Sequence, residues 1–227
     1  MPDVSVGLVV PAGGMGARIG TRTPKPFLRL GRTTILDLTL RRFQNPPLVH
    51  RIVVAVPSAH VAPARRLARP NRRPLPTIVM GGPTRQESVW QAMQALEPDT
   101  AIVVVHDAVR PFVTRPLVMA VIAAAREHGA ALCALPIAET VKRVRGGLVV
   151  ETVDRTELWT VQTPQAFHHA LLREAHEKAR RDGVVGTDDA MLVERLGHPV
   201  RVVPGLAENI KITTPADLRR ARAWGRP

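Results

Sequence analysis

Residues 6–25 read VGLVVPAGGMGARIGTRTPK, and this stretch decides how the fold begins. The apolar run Val6–Val10 predicts a buried strand, and the glycine-rich segment after it predicts a loop. Backbone N–H groups of such a loop can approach phosphates closely, and Arg18 and Lys25 add two cations. The loop lacks the Gly-Lys-Ser/Thr ending of a Walker A motif, and Ile19 replaces the third glycine of the dinucleotide fingerprint. We therefore predict a triphosphate-binding loop, with an ordinary tight turn as the alternative.

Short strand-like runs alternate with helical patterns through most of the remaining sequence. The strands are almost continuously apolar, which is typical of a parallel sheet buried on both faces. This alternation predicts right-handed βαβ units and the α/β fold class, with a single doubly wound, mostly parallel sheet. The predicted strands are Val6–Val10, Arg51–Val56, Thr77–Met80, Ala101–His106, Ala131–Leu135 and Val200–Val203. The predicted helices are Thr34–Phe43, Ser58–Arg69, Arg85–Leu96, Arg115–Glu127, Gln165–Arg181, Thr187–Leu196 (with Thr187 as N-cap) and Asp217–Trp224.

Residues 137–156 depart from this alternation. Val141–Val144 and Leu148–Val153 predict two short strands joined by a turn at Gly146–Gly147. An isolated hairpin is only marginally stable in water, so we expect it to pack against a second copy of the chain. We expect residues 1–227 to form one domain, in which residues 137–156 are a dimerisation arm.

The composition limits the classes of function. The chain carries 32 Lys and Arg against 19 Asp and Glu, a net charge of +13, which suits nucleic acid, acidic membranes or anionic substrates as partners. Only three Trp, four Phe and no Tyr are present, which disfavours a surface for stacking nucleic-acid bases. The apolar runs are too short to span a bilayer and no signal peptide is evident, so we expect a soluble cytoplasmic protein that binds neither nucleic acid nor membrane. The single cysteine, Cys133, is predicted to be a buried small side chain.

The segment GGPTRQESV, Gly81–Val89, follows a predicted strand. Its two glycines leave room for a base to lie against the backbone, and the Ser88 hydroxyl can donate or accept a hydrogen bond. The same segment is also compatible with a helix N-terminus that Thr84 caps.

The segment HDAVRPF, His106–Phe112, lies at the carboxyl end of another predicted strand, where open α/β sheets bind ligands. Asp107 can hold a substrate hydroxyl or a Mg²⁺-bound water, and Arg110 can pair with a phosphate. The alternative is a local salt bridge without a chemical role. His106 is predicted to be structural, since the eight histidines show no metal-site spacing.

The pattern P-A-G-G-x-G-x-R-x-G followed by P-K resembles nucleotidyltransferases that activate sugars and polyol phosphates. Four further segments narrow this likeness: GGPTRQESV, HDAVRPF, ETVKRV with DRTELWTVQTPQAF, and GTDDA with NIKITTPADL. Together they resemble the 2-C-methyl-D-erythritol 4-phosphate cytidylyltransferase family of the non-mevalonate isoprenoid pathway, over about residues 6–221. The resemblance implies a Rossmann-like nucleotidyltransferase fold with a protruding β-hairpin arm. It also implies transfer of CMP from CTP to the acceptor's phosphate, with release of pyrophosphate and with Mg²⁺ or another divalent cation.

The resemblance also assigns roles to residues. Arg18 and Lys25 would stabilise charge on the triphosphate, while Lys211 and Arg155 would hold the acceptor phosphate. Arg155 and Thr140 would reach into the site of the neighbouring subunit of a homodimer. Residues that would contact the nucleotide are Pro11, Ala12, Gly13, Gly14, Gly16, Gly82, Ser88 and Ala108. Acceptor contacts would come from Asp107, Arg110 and Thr140. Thr163, Asp188 and Asp189 are weaker candidates, and TDDA could instead simply cap a helix. Asp107 would also be the metal-binding residue, directly or through water.

Two positions qualify this assignment. Pro83 stands where the family often has a polar residue, and it has no N–H to donate to a base. Lys211 lies in the short run NIKIT, which predicts an edge strand, so by itself it would be read as a lysine that faces water.

Three other functions stay open at this point. A ribitol-5-phosphate cytidylyltransferase would share the nucleotide-binding half, although TVKRV, RQESV and TDDA favour the methylerythritol enzyme. A basic nucleic-acid-binding module would show affinity with a steep dependence on salt. An inert nucleotide sensor would bind CTP without releasing pyrophosphate.

Overall fold

The computed structural model describes residues 4–13, 23–44, 48–66 and 73–224. Its main feature is a seven-stranded sheet, accompanied by two small two-stranded sheets. The strands of the described residues are β1 Val6–Pro11, β2 Arg29–Leu30, β3 Thr33–Thr34, β4 Arg51–Val56, β5 Pro76–Met80, β6 Ile102–Val105, β7 Ala130–Pro136, β8 Val141–Arg145, β9 Leu148–Val153, β10 Trp159–His168 and β11 Arg201–Pro204.

The strand order of the main sheet is β11-β7-β10-β6-β1-β4-β5. Parallel pairing joins β1 to both β4 and β6, β4 to β5, and β7 to β11. Leu8, Val9 and Val10 of β1 are fully buried, as expected of a strand that is covered on both faces. The predicted mostly parallel α/β sheet is confirmed, and the six predicted strands agree with the observed ones to within one residue at each end.

The strand β10 corrects the sequence prediction, which extends a helix from Gln165. Residues as far as His168 belong to β10, and the helix begins at His169. β10 is antiparallel to both of its neighbours, β6 and β7, so its backbone groups find partners on either side. Ala166 and Phe167 are fully buried there. Pairing with two strands distant in sequence therefore overrides the helical pattern, because a local pattern carries no information about those strands.

Helices cover both faces of the sheet. The α-helices of the described residues are α1 Ile35–Arg41, α2 Val61–Arg65, α3 Arg85–Met93, α4 Arg115–His128, α5 His169–Arg181, α6 Asp189–Glu194 and α7 Pro215–Ala223. One core cluster joins α1, α2 and α4 to the face that carries Leu8 and Val10. A second joins α3, α5 and α6 to the face that carries Val9 and Val53. With both faces of the sheet covered in this way, a site can form at the ends of the strands.

The helix predicted from Ser58 starts later. A 3-10 turn spans Ser58–His60, and α2 begins at Val61 and ends at Arg65. Pro63 accounts for the late start, because it has no N–H to donate to the carbonyl four residues earlier and fits only in a first helical turn. Residues 67–69 of the prediction lie outside the described residues.

Three predictions near the end of the chain are wrong in detail. Asp188, not Thr187, caps α6, and its Oδ1 accepts from the Met191 N–H at 2.9 Å. Helix α7 starts at Pro215 rather than at Asp217, since Thr214 caps it. Lys211 is not in a strand: the Ile212 N–H donates to the Val109 carbonyl at 3.0 Å, but no ladder extends from that bond.

The predicted hairpin is present as β8 and β9, joined by Gly146 and Gly147. Both glycines have positive φ values, 57° and 81°, which residues with side chains rarely adopt. The hairpin forms a two-stranded sheet of its own, separate from the main sheet. Among the described residues, no helix has the length and apolar character needed to cross a membrane.

Candidate active site

A cavity of about 370 Å³ opens at the carboxyl ends of β1, β5 and β6. In parallel α/β sheets this edge is where ligands bind, because helix N-termini and loops converge there. The segments after the three strands, together with the Lys25 turn and the residues before α7, form its wall. The lining residues are Pro11, Gly13, Lys25, Pro26, Gly82, Pro83, Thr84, Arg85, Ser88, Asp107, Ala108, Val109, Lys211 and Thr213.

The segment between β5 and α3 forms one side of this cavity. Thr84 and Glu87 form a capping box, in which each side chain accepts from the other residue's backbone N–H. The turn brings α3 so close that a Cβ on Gly82 would lie 2.3 Å from the Glu87 Cβ, so no larger residue fits there. Ser88 is buried and its Oγ lies 2.9 Å from the Thr84 carbonyl oxygen. The predicted Thr84 cap is confirmed, and it sets the backbone path around the cavity.

Lys25 also lines this cavity, from a 3-10 turn that spans Lys25–Phe27. Its side chain is almost entirely buried, although it lines the cavity. The Nζ atom donates to the Thr213 carbonyl at 3.0 Å. An ammonium can donate three hydrogen bonds, and this one orients the charged group of Lys25 at the cavity wall.

Asp107 follows β6 and is the most strongly ion-paired carboxylate of the cavity. Its Oδ1 accepts from Arg85 Nε at 3.2 Å, and its Oδ2 lies 2.8 Å from Lys211 Nζ and 3.7 Å from Arg110 Nε. Burial by itself would raise the pKa of Asp107, but Arg85, Lys211 and Arg110 outweigh it and hold that pKa well below the usual range. Asp107 is therefore a carboxylate at any physiological pH.

A buried polar cluster fixes the backbone around Asp107. The Asp107 N–H donates to Thr163 Oγ1 at 3.0 Å, and that oxygen lies 3.2 Å from His106 Nδ1. Burial lowers the pKa of His106 to about 4, so the ring is neutral. Its Nε2 lies 3.1 Å from the Arg110 carbonyl oxygen, and Arg110 Nη1 donates to the Asn209 carbonyl at 2.6 Å. The predicted structural role of His106 agrees with these contacts.

A second cavity, of about 260 Å³, adjoins the first. Three residues, Arg85, Asp107 and Lys211, line both. The remaining lining residues of the second cavity are Arg110, Val161, Gln162, Thr163, Gln165, Thr187 and Asp188. The two cavities thus meet at one cluster of alternating charges.

The structure places the predicted site residues differently. Pro11, Gly13, Gly82, Ser88, Ala108, Lys25, Asp107 and Lys211 line the first cavity, and Arg110 and Thr163 line the second with Asp107 and Lys211. Ala12 is buried directly behind them. Thr140 and Arg155 are exposed at the two ends of the β8–β9 hairpin and line neither cavity. Gly14, Gly16 and Arg18 lie outside the described residues.

The sequence prediction omits Arg85, although it is the first residue of α3 and lines both cavities. Its Nη1 donates to Asp189 Oδ2 at 2.7 Å, in addition to the bond with Asp107. Burial alone would lower the pKa of Arg85, but Asp189 and Asp107 raise it. The available signal is a cation in the first turn of a helix after a Gly-Gly turn, where acidic residues are the usual choice.

Metal binding by side chains alone has little support in this arrangement. Within residues 4–13, 23–44, 48–66 and 73–224, no group of three His, Cys, Asp or Glu side chains could hold an ion. Asp107 has the hard oxygen atoms that Mg²⁺ prefers, but each of its oxygens already faces a cation. A Mg²⁺ ion would therefore need ligands from a bound phosphate group, with Asp107 as a contributing carboxylate.

Comparison with known proteins gives one consistent result. The profile of the 2-C-methyl-D-erythritol 4-phosphate cytidylyltransferase family (IspD) matches residues 6–226. The cytidylyltransferase of that name from Syntrophus aciditrophicus is 45% identical over 219 residues, covering 95% of this chain and 94% of the relative. The corresponding protein from Symbiobacterium thermophilum is 45% identical over 220 residues, covering 96% of this chain and 92% of the relative.

Solved structures agree with the sequence matches. The crystal structure of 2-C-methyl-D-erythritol 4-phosphate cytidylyltransferase from Thermus thermophilus superposes with a TM-score of 0.80 at 40% identity, and 98% of each chain is covered. The enzyme from Francisella tularensis gives a TM-score of 0.81 at 31% identity, over 97% of this chain and 99% of that one. The chain therefore belongs to the 2-C-methyl-D-erythritol 4-phosphate cytidylyltransferase family, the CTP-dependent nucleotidyltransferases of non-mevalonate isoprenoid biosynthesis.

Proposed function

We propose that the two adjoining cavities are the CTP and acceptor halves of one cytidylyltransferase site. The acceptor is 2-C-methyl-D-erythritol 4-phosphate, as the name of the family states. The observation that carries this proposal is that Arg85, Asp107 and Lys211 line both cavities, so two ligands would meet at a single charged junction.

The reaction in this site is an in-line displacement. An oxygen of the acceptor phosphate attacks the α-phosphorus of CTP, a new P–O bond forms, and the bond to pyrophosphate breaks. Because an acceptor phosphate is already ionised at neutral pH, no side chain has to act as nucleophile. The work of the protein is to bring two anions together and to neutralise their charge.

The 370 Å³ cavity holds CTP. Gly82 and Ser88 line the side where the base lies, and the tight turn at Gly82 brings backbone and base together. Lys25 stabilises the negative charge that develops on the phosphates, and Arg18 assists from the glycine-rich loop. The loop residues Gly13, Gly14 and Gly16 supply backbone N–H donors.

The 260 Å³ cavity receives the acceptor. Lys211 turns from Asp107 to the acceptor phosphate, a short movement for a side chain that is 42% exposed. Arg110 and Thr163 line the same cavity and bound the space for the polyol. Arg155 and Thr140 complete the site from the partner subunit.

The hairpin β8–β9 is the dimerisation arm of a single domain formed by residues 1–227. It carries exposed large apolar residues in a short stretch, and Leu148 is 75% exposed. A cluster of exposed apolar residues of this kind is typical of interaction sites. The other strongly exposed members are Val144, Val149 and Val150. Burial of this surface against a second copy would bring the Arg155 of one subunit toward the cavities of the other.

Mg²⁺ would be held by the triphosphate and by Asp107, directly or through water. When bound there it supplies charge neutralisation for the displaced pyrophosphate. Asp107 remains anionic for that purpose because Arg85, Lys211 and Arg110 lower its pKa despite its burial.

Pyrophosphate release with purified protein tests the proposed reaction. Each of the four nucleoside triphosphates is offered with 2-C-methyl-D-erythritol 4-phosphate, with ribitol 5-phosphate, and with no acceptor. We expect release with CTP and the methylerythritol acceptor, dependence on a divalent cation, and much slower release with ribitol 5-phosphate. Equal turnover of both acceptors would reassign the acceptor, and CTP binding without any release would identify a nucleotide sensor.

A further inference from the structure

A buried ion-paired network continues behind the site, and the proposed reaction does not use it. His176 of α5 is fully buried and Asp189 of α6 is 1% exposed. His176 Nε2 lies 3.0 Å from Asp189 Oδ1. The other carboxylate oxygen, Oδ2, accepts from Arg85 Nη1 at 2.7 Å. A buried carboxylate is costly unless it is paired, so these two partners fix its place.

Arg85 is thereby shared between two carboxylates. Its Nε donates to Asp107 Oδ1 at 3.2 Å, at the junction of the two cavities, while its Nη1 donates to Asp189. The rigid, planar guanidinium makes the two bonds from two different nitrogens, whereas a lysine has one nitrogen from which to reach both carboxylates. The side chain of Arg85 is 27% exposed, so substrate anions can reach its surroundings.

Trp90 and Arg180 lie at the far end of the network. The Trp90 ring stacks near His176, with centroids 6.2 Å apart and an angle of 23° between the planes. The Arg180 guanidinium lies 5.2 Å from the centroid of the Trp90 ring. Trp90 and Arg85 belong to the same helix, α3, so one helix supports both ends of the network.

We propose that Arg85 is a positioning residue, which Asp189 and His176 hold in place so that it keeps Asp107 oriented while Lys211 leaves Asp107 for the acceptor phosphate. This inference rests on the function proposed above. Two substrate anions attract any nearby cation, and a guanidinium held only by Asp107 would move toward them. Asp189 opposes that movement from a position that neither cavity reaches.

Lys211 shows why Asp107 needs such support. Among the described residues, Lys211 Nζ is the closest cation to Asp107, at 2.8 Å, and Arg110 Nε is at 3.7 Å. Once Lys211 turns to the acceptor, Arg85 becomes the nearest partner of Asp107. Displacements of about 1 Å in a reacting site can cost about a hundredfold in rate. Loss of the Asp189 anchor should therefore lower turnover even though Asp189 contacts no substrate.

The test is a double-mutant cycle on kcat with Asp189→Asn and Arg85→Lys. We expect each single variant to lower kcat by about tenfold to a hundredfold, and the double variant to be no slower than the slower single variant. In Asp189→Asn the KM for CTP should change by less than about threefold, since Asp189 lines neither cavity and Gly82 and Ser88 are untouched. Asp182→Asn is the matched control: Asp182 pairs with Lys178 of α5 at 3.0 Å and with Arg195 at 3.4 Å, but on the exposed surface.

A second pair of variants applies if Asp189→Asn folds poorly. His176→Gln keeps a donor for Asp189 and should retain kcat within about threefold, whereas His176→Leu removes the donor and should lose at least about fivefold.

Three results would overturn the inference: Asp189→Asn behaves like Asp182→Asn, its effect multiplies with that of Arg85→Lys, or it lowers only the melting temperature. Absence of wild-type turnover would instead refute the proposed function itself, and the inference with it.

Discussion

The paired cavities and the β8–β9 hairpin differ in how far their side chains find partners within one chain. Around the cavities, Asp107, Arg85 and Lys211 are ion-paired within the chain, and Asp107 is nearly buried. In the hairpin, Leu148 is 75% exposed, and Arg155 lies on the surface shortly after the second strand. The charged junction is thus assembled in a single chain, whereas the hairpin exposes apolar side chains, which a second copy would cover in the proposed dimer.

This difference separates two requirements of the reaction. In the proposed site, nucleotide binding uses groups of one subunit, so it should survive loss of the dimer. Acceptor turnover would also use Arg155, which the proposed dimer delivers from the partner subunit. Substitutions in the cavities and in the hairpin should therefore differ both in the step that they affect and in the size of the effect.

The largest effect is expected for Lys25→Ala, which removes a cation from the cavity that we propose binds CTP. We expect kcat to fall about a hundredfold or more, because charge stabilisation in the transition state is lost. Steady-state pyrophosphate release measures this. Lys178→Ala is the control, since the Lys178 side chain is 41% exposed and pairs with Asp182 on the surface of α5. Unchanged kcat in Lys25→Ala would remove Lys25 from the mechanism.

The second largest effect is expected for Arg155→Ala, and subunit mixing tests whether Arg155 acts in the site of the other subunit. Arg155→Ala alone should lose most acceptor turnover while it retains CTP affinity. When equal amounts of Arg155→Ala and Lys25→Ala chains are mixed and allowed to exchange, hybrid dimers should restore about a quarter of the wild-type activity. No recovery despite subunit exchange would mean that both residues serve the same chain's site.

A smaller effect is expected when the apolar surface of the hairpin is interrupted. Leu148→Glu should weaken the dimer at least about tenfold, because it buries a charge in an apolar contact. Sedimentation velocity over a range of concentrations measures this. Val185→Glu is the control, since Val185 is 68% exposed but lies outside the hairpin. A Leu148→Glu dimer as stable as the wild type would argue against this surface as the interface.

The smallest effect concerns stability beside the CTP cavity. Asp217 accepts from the Thr213 and Thr214 N–H groups at 2.9 and 2.8 Å, and Thr213 in turn orients Lys25. Burial alone would raise the pKa of Asp217, but these bonds lower it to about 2. Because the folded pKa is below the unfolded value of about 3.9, the stabilisation is complete above pH ~4 and is lost as pH falls through 2.

We therefore expect Asp217→Asn to lower the free energy of unfolding by about 1 kcal/mol at pH 7, as loss of a helix cap does. Urea denaturation at several pH values measures the difference from wild type, which should shrink toward pH 2. The exposed Asp99→Asn is the control. A difference that stays constant down to pH 2 would show that the Asp217 carboxylate is not the stabilising form.

The main sheet is predictable from the sequence because its parallel strands are continuous apolar runs bounded by loops. β10 is not, since its last residues resemble a helix and only the pairing with β6 and β7 makes them a strand. Helix N-caps likewise include some that the local sequence predicts and some that it does not. Thr84 is recognisable as a cap from its neighbours, whereas the choice of Asp188 over Thr187 depends on the tertiary path of the chain.

In the site, too, the sequence predicts some residues but not the contacts between distant ones. Lys25, Asp107 and Lys211 are identifiable from motifs, and the structure brings them to one cavity. The network behind them is not identifiable from motifs, because Arg85 and Asp189 are 104 residues apart and no local pattern indicates that they pair. Ion pairs between distant helices depend on packing geometry, which no local pattern encodes.

A crystal structure of the protein with bound CTP would show whether the two cavities are one cytidylyltransferase site. We expect the cytosine against Gly82 and Ser88, the triphosphate within reach of Lys25, and the α-phosphate at the junction lined by Asp107 and Lys211. A cytidine nucleotide bound elsewhere, with the two cavities unchanged, would contradict it.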